Sequence, residues 1–264
     1  MNHAHPPHRL RAAVLAAALD HRPAGFPDVE ALPAAVVPYA AEVGKLDALL
    51  REVTREQWRT AVLGDVTTHR LVEHLRGNDA KLATALGLDI GPGLPKRPHQ
   101  VWRDLAFGLL RHALTAPLTD RVQLDGLPLS LRNAYLSRAF ETWIHADDIR
   151  TGIGRPVDPP CPTHLRALAD LHIRSLPAAL RLSGRTHPDR TAHIRLTGAV
   201  TDDWRIPLSR PAPTEPAVTL TADALEFCYL AANRRAPGSV PVAVTGDRAL
   251  ADDLLAVMTY FSHE

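Results

Sequence analysis

The hydrophobic period of the chain changes near residue 190, and that change limits the folds open to it. As far as Ser183, apolar residues recur at helical spacing, as in Val37, Ala40, Ala41, Val43, Leu46, Leu49 and Leu50. Beyond it, Thr191 to Gly198 (TAHIRLTG), Asp203 to Ser209 (DWRIPLS) and Ala217 to Ala222 (AVTLTA) alternate apolar and polar residues as strands do. Helices come first and strands later, which predicts an α+β, multidomain chain rather than an alternating α/β one.

The helical part divides at turn signals. A first helix is expected over 33–53, with Pro38 tolerable in its first turns. A second begins near Val66, capped by Thr67 or Thr68, and reaches Leu86 before Gly87. The breaker GPGLPKRP (Gly91 to Pro98) separates it from a third, His99 to Ala116. A fourth starts at the cap Ser130 and reaches Thr151, ahead of Gly152 and Gly154. Four helices with modest loops predict a four-helix bundle over residues 33–155. The proline-rich connector GRPVDPPCP (Gly154 to Pro162) opens a smaller α+β domain over 156–264. That domain holds a fifth helix (Thr163 to Ser183), the three strands and a helix in ADALEFCYLAANR. A strand in VPVAVTGD and a terminal helix in RALADDLLAVMTYF complete it. Residues 1–32 are an extension. Its Arg9 to Asp20 stretch reads as a short amphipathic helix rather than a signal peptide, and the preceding HAHPPH as disordered. No internal repeat is found.

A net charge of +1 provides no field for nucleic acid or an anionic membrane. No run approaches the roughly 18 apolar residues of a membrane span. Cys161 and Cys228 form no CxxC, which excludes a disulfide scaffold and a cysteine-rich zinc site; free thiols point to a reducing, cytoplasmic setting. The motifs GxGxxG, GxxxxGK[ST] and GxSxG are absent.

The candidate chemistry lies in AFETWIHADDIR, Ala139 to Arg150. Glu141, His145 and Asp148 stand at i, i+4 and i+7. At about 100° per residue they share a sector of roughly 60°. Phe140, Ile144 and Ile149 flank that sector, while Asp147 and Arg150 fall opposite, as solvent charges. Buried carboxylates need a partner or a metal. One reading pairs Glu141 with Arg138 in a structural salt bridge. The other gives Glu141 and His145 to a zinc-like ion, with Asp148 orienting His145 or a bound water. His74, at the edge of the stripe Leu71, Leu75 and Leu82, is the best further ligand, although a lone histidine there is commonly a core residue. Asn78 follows one turn later, near the same face. Three ligands leave the open position of a catalytic site. His69 falls on a different face, His164 and His172 lack a clear carboxylate partner, and Asp170–Arg174 reads as a surface ion pair. Arg234 and Arg235 follow a helix, where they complement its dipole or meet an anionic ligand.

VTTHRLVEHLRGND resembles the second-helix motif of the mycothiol-dependent maleylpyruvate isomerase family, a branch of the DinB-like bundles. AFETWIHADDI resembles that family's fourth-helix ExxxHxxD motif. The segments VTLTADALEFCYLAANRR, VAVTGD and ALADDLLAVM resemble its sterol-carrier-like C-terminal domain. The likeness covers most of the chain after about residue 33. It implies zinc, or another divalent metal, on His74, Glu141 and His145, and mycothiol, the thiol of actinobacteria, as cosubstrate. It implies Arg234 as the arginine that reaches the active site from the second domain, with Asp148 supporting catalysis. Since the segment reads Asn-Arg-Arg, Arg235 shares that expectation, and Asn78 joins both arginines in binding the cosubstrate. The expected activity is isomerisation or S-transfer on a small, acidic electrophile by a monomer. The alternatives are a non-catalytic, metal-stabilised binding or regulatory protein, and a metal-dependent hydrolase.

Overall fold

The computed structural model describes residues 25–88, 97–209, 211 and 213–261. The expected helix at Arg9 to Asp20, the HAHPPH stretch and most of the 91–98 breaker lie outside these. Four helices come first: α1 (Val37–Glu52), α2 (Thr68–Ala85), α3 (Pro98–Ala113) and α4 (Leu131–Gly152). Their starts follow the expected chemistry. The Thr67 hydroxyl accepts from the Arg70 amide and the Ser130 hydroxyl from the Asn133 amide. Pro98 opens α3, where its missing N–H costs nothing. Helix α1 packs on α4 and α3, and α2 on α3 and α4.

Two small hairpins flank α4 that the sequence reading does not contain. β1 (Ala61–Leu63) pairs with β2 (Val66–Thr67), and β3 (Arg121–Leu124) with β4 (Leu127–Ser130). Strands of two to four residues are too short to carry a period. The second hairpin turns on Asp125 and Gly126, both left-handed at φ 49° and 80°, the backbone of a type I′ turn. The first lies against the end of α4. A Cβ on Gly152 would come within 2.6 Å of the Val62 backbone, so glycine permits this approach.

Helix α5 (Pro162–Leu182) joins the two halves, packing on α4 and on the elements after it. These are β5 (Thr191–Thr197), β6 (Asp202–Pro207), β7 (Val218–Asp223), α6 (Ala224–Ala231), β8 (Ala243–Gly246) and α7 (Arg248–Val257). The sheet order is β6-β5-β7-β8, with β5 and β7 parallel and the other pairs antiparallel. The chain is thus a mixed helix-and-sheet, α+β protein. One contiguous apolar core runs through both halves. Among the described residues no helix is long and apolar enough to cross a membrane.

Two placements correct the sequence reading. Asp147 and Arg150, expected to face solvent, are 4% and 8% exposed. Around these two residues helix α4 is covered by α1, the first hairpin, the 155–159 connector and Tyr229 of α6, so that side does not face solvent. Asp147 accepts from Trp143 Nε1 (2.8 Å), Tyr229 Oη (3.0 Å), the Asp158 amide (3.0 Å) and Arg150 (3.4 Å). Asp170 does pair with Arg174, but it is buried and also accepts from Trp204 Nε1 on β6 at 2.9 Å. A buried acid bound to an indole is a packing element, not a surface ion pair.

Candidate metal centre

His74 comes from the middle of α2, and Glu141 and His145 from successive turns of α4. Their rings and carboxylate meet where the two helices cross. The two imidazole centroids are 5.1 Å apart and nearly perpendicular. One donor atom from each of the three lies within 4.8 Å of the others. His74 Nε2 is 3.9 Å from Glu141 Oε2. No other group of three or more such residues comes together among the described residues.

Neighbours fix the state of each donor. Asn78, one turn after His74, donates its amide to Glu141 Oε2 (2.8 Å) and lies 3.0 Å from His74 Nε2. An amide N–H pointed at Nε2 makes that nitrogen the acceptor, so its lone pair is held by Asn78. Burial, then the nearby His145, lower the His74 pKa and keep the ring neutral. His145 Nδ1 is 3.0 Å from Asp148 Oδ2, so its N–H donates there and Nε2 is the nitrogen left for a ligand. Asp148 in turn accepts from Arg234 Nε and Nη2, each at 2.8 Å. Burial raises the Asp148 pKa, but the bonds from His145 and Arg234 outweigh it and hold the carboxyl below its usual range.

Glu141 has a second partner. Arg138 donates Nη1 to Oε2 (2.9 Å) and Nη2 to Oε1 (2.5 Å), forming the salt bridge that the sequence allowed. Burial works against ionisation of Glu141; Arg138, His145 and Asn78 together reverse this and keep it below the usual carboxylate range. Arg138 also faces a deeper acid. Asp79 is buried beside Tyr39 and Trp102, and burial pushes its pKa up to about 7. Sequence reading missed Asp79, though its position four after Leu75 and three before Leu82 places an acid on an apolar stripe.

The two arginines of the 234–235 pair separate. Arg234 reaches the site through Asp148 and anchors Nη1 on Ala232 O at 2.8 Å. Arg235 lies on the outside, bound to Glu226 (3.0 Å) and over the Tyr229 ring. His69 pairs loosely with Glu73 at 3.8 Å, away from the site. His172 sits against Phe140, centroids 4.0 Å apart, with Nε2 unpartnered and its pKa pushed down to about 4 by burial.

A cavity of about 520 Å³ opens onto this centre. Asn78, Arg138, Glu141, His145 and Arg234 line it beside the centre, and the remainder mixes leucine, phenylalanine and isoleucine with polar groups such as Lys81, Arg132, Ser137, Arg174 and Ser175. Arg235 is not on that wall.

No family model matches the chain. Two relatives, from the CDC 1551/Oshkosh and H37Rv strains of Mycobacterium tuberculosis, are each described only as an uncharacterized protein. Each is 26% identical over 190 residues, which is 72% of this chain and 71% of the relative. No solved structure matches.

Proposed function

We propose that the chain is a metal-dependent, mycothiol-using isomerase or S-transferase of a small electrophilic acid. In this reading α1 to α4 are a DinB-like four-helix bundle and the sheet half is a sterol-carrier-like domain. The observation that carries it is the convergence of two imidazoles and a carboxylate beside a cavity of mixed polar and apolar lining.

The residues fit a divalent cation. Their chemistry, two nitrogens and one oxygen, is that of catalytic zinc sites with an open fourth position. One donor atom from each of His74, Glu141 and His145 lies within 4.8 Å of the others, so these three would hold the cation. Glu141 Oε2 faces His74 and would be the ligand, giving up the bond it now accepts from Arg138 Nη1, while Oε1 would keep Arg138 Nη2. A divalent cation held there supplies Lewis-acid chemistry, lowering the pKa of a thiol or water at its open position.

The protein's own groups do the rest. Asp148 holds the His145 tautomer, and Arg234 holds Asp148. Arg234 has engaged three of its five N–H donors, which leaves two for a substrate carboxylate at the cavity wall. In isomerisation, sulfur bonds to the electrophilic carbon and the π pair moves to the conjugated carbonyl. The C–C bond then rotates, and loss of the same sulfur restores the double bond. In S-transfer the carbanion takes the thiol's proton and the C–S bond remains. The test is turnover of α,β-unsaturated carboxylic acids with and without mycothiol. The reading predicts loss or isomerisation of the acid only with thiol; equal turnover without thiol sinks it in favour of hydrolysis.

A second reading rests on the bidentate Arg138–Glu141 pair, which satisfies Glu141 without any metal. There the trio is a structural network in a binding protein, and the purified chain holds no stoichiometric metal.

A further inference from the structure

Helix α6 ends in a turn that ties one of its residues to Arg234. Asn233 takes the left-handed φ of 57°. The Arg234 amide donates to Tyr229 O at 2.8 Å, and the Asn233 amide to Leu230 O at 3.0 Å. These are the two bonds of a Schellman cap, which fix the first and last residues of the turn against each other. The Arg234 guanidinium is anchored on the same turn, through Nη1 to Ala232 O. Where Tyr229 is held, the base of Arg234 is held with it.

Two adjacent acids of α4 hold this unit at both ends. The Tyr229 hydroxyl donates to Asp147 Oδ2 at 3.0 Å, and Arg234 donates Nε and Nη2 to Asp148, each at 2.8 Å. Successive residues of a helix point about 100° apart, so the two acids grip the unit from different sides of α4. The connections close into a ring: Asp147, Tyr229, the turn, Arg234, Asp148 and back along the α4 backbone. The Asp147 end is firm, because Trp143 Nε1 and the Asp158 amide also donate to that carboxylate. The Tyr229 ring lies 5.6 Å from the Trp143 ring, with the Arg235 guanidinium 5.1 Å over it. Phenylalanine would fill the same space. The buried hydroxyl adds little net stability, since folding exchanges its bond to water for one to protein, so what it contributes is direction. Asp148 passes the constraint on to His145 Nδ1 at 3.0 Å.

We propose that Tyr229 is a positioning residue of the metal centre. Its hydroxyl, through Asp147, sets the α6 turn so that Arg234 meets Asp148 and Asp148 orients the His145 ring. The same bond sets how the remaining N–H groups of Arg234 face the cavity. This deepens the proposed function and rests on it for the metal alone; the ring of bonds stands in the metal-free chain.

Tyr229→Phe keeps the aromatic ring and deletes the hydroxyl. It is compared, in the full chain, with Asp148→Asn and with Trp204→Phe. The last removes an indole bond to a buried acid, Asp170, elsewhere in the sheet half, and controls for plain loss of stability. Two readouts separate position from stability. In metal-free, isotopically labelled protein, solvent exchange of the His145 Nδ1–H reports the Asp148 bond; its magnetic-resonance signal is assigned by its absence in His145→Gln. Tyr229→Phe speeds that exchange by at least about tenfold through local opening, and Trp204→Phe leaves it unchanged. Zinc affinity, from competition with a chelator, falls about 3- to 10-fold in Tyr229→Phe and about 10- to 100-fold in Asp148→Asn, which loses the ligand's direct partner. Added to Asp148→Asn, Tyr229→Phe weakens zinc no further. The proposal is overturned if Tyr229→Phe lowers Tm yet leaves exchange and affinity at wild-type values, if Trp204→Phe reproduces both effects, or if the Tyr229 and Asp148 losses of affinity multiply. A wild-type chain that takes up no zinc refutes the proposed function, and the exchange readout alone then decides this inference. A zinc-loaded wild type with an unaffected Tyr229→Phe refutes this inference and leaves the function standing.

Discussion

Asp148 links the two halves of the molecule, and a double-mutant cycle with Arg234 measures that link. The Asp148 and Arg234 side chains are 9% and 15% exposed and share two hydrogen bonds of 2.8 Å. Removing one member of a buried pair strands the other's charge, at about 3–5 kcal/mol when burial is complete. Residual exposure of Arg234 puts the expected cost of Asp148→Asn nearer about 2–3 kcal/mol. For a chain of this size that lowers Tm by about 5–10 °C. Arg234→Met costs a similar amount alone. The double variant costs little more than either single, giving a coupling of about 2 kcal/mol. Because the folded Asp148 pKa is depressed, its contribution is present above the unfolded value near 3.9 and is lost as pH falls through the folded one. The deficit of Asp148→Asn therefore shrinks in acid below about pH 4. Thermal unfolding of the four proteins at pH 7 and pH 3.5 reads both effects. Strictly additive Tm losses, or a deficit that does not change with acid, would refute the relay from Arg234 through Asp148 to His145.

Two further perturbations have defined signs. Glu42 is buried in α1, neither oxygen has a hydrogen-bond partner among the described residues, and burial raises its pKa to about 7 despite Lys45 at 3.4 Å. The folded chain keeps this proton while the unfolded chain loses it near pH 4.5, so stability falls as pH rises from about 4.5 to 7. Glu42→Gln removes that fall and raises Tm at pH 8 relative to pH 5 by roughly 4–8 °C, about 2 kcal/mol; parallel Tm–pH curves for variant and wild type would contradict it. Arg138→Gln leaves Glu141 an unpaired, mostly buried carboxylate in metal-free protein. Its metal-free Tm drops by several degrees and the rise in Tm on adding zinc grows. An unchanged or smaller zinc response would show that Arg138 does not stand in for the cation.

Much of the site could be seen in the sequence because helical spacing is a rigid ruler. Glu141, His145 and Asp148 share a face whatever surrounds α4, and the hydroxyl caps at Thr67 and Ser130 fix where α2 and α4 begin. What failed were inferences about surroundings. An amphipathic pattern puts Asp147 in water, but the side of α4 that carries it is covered by neighbouring elements and four donors satisfy the acid instead. The choice between Arg234 and Arg235 was open because it depends on one backbone torsion. Asn233 adopts φ 57°, a left-handed turn that asparagine tolerates, and this turns the chain so that the two arginines leave in different directions.

Metal content tests the central claim most directly. Wild-type protein purified in zinc-replete medium is expected to hold close to one zinc per chain by elemental analysis, and His74→Ala to hold almost none while remaining folded. His74 is about one-quarter exposed, so its truncation disturbs little packing. Full metal occupancy in His74→Ala, or a wild-type protein that takes up no divalent metal at all, would contradict the site at His74, Glu141 and His145.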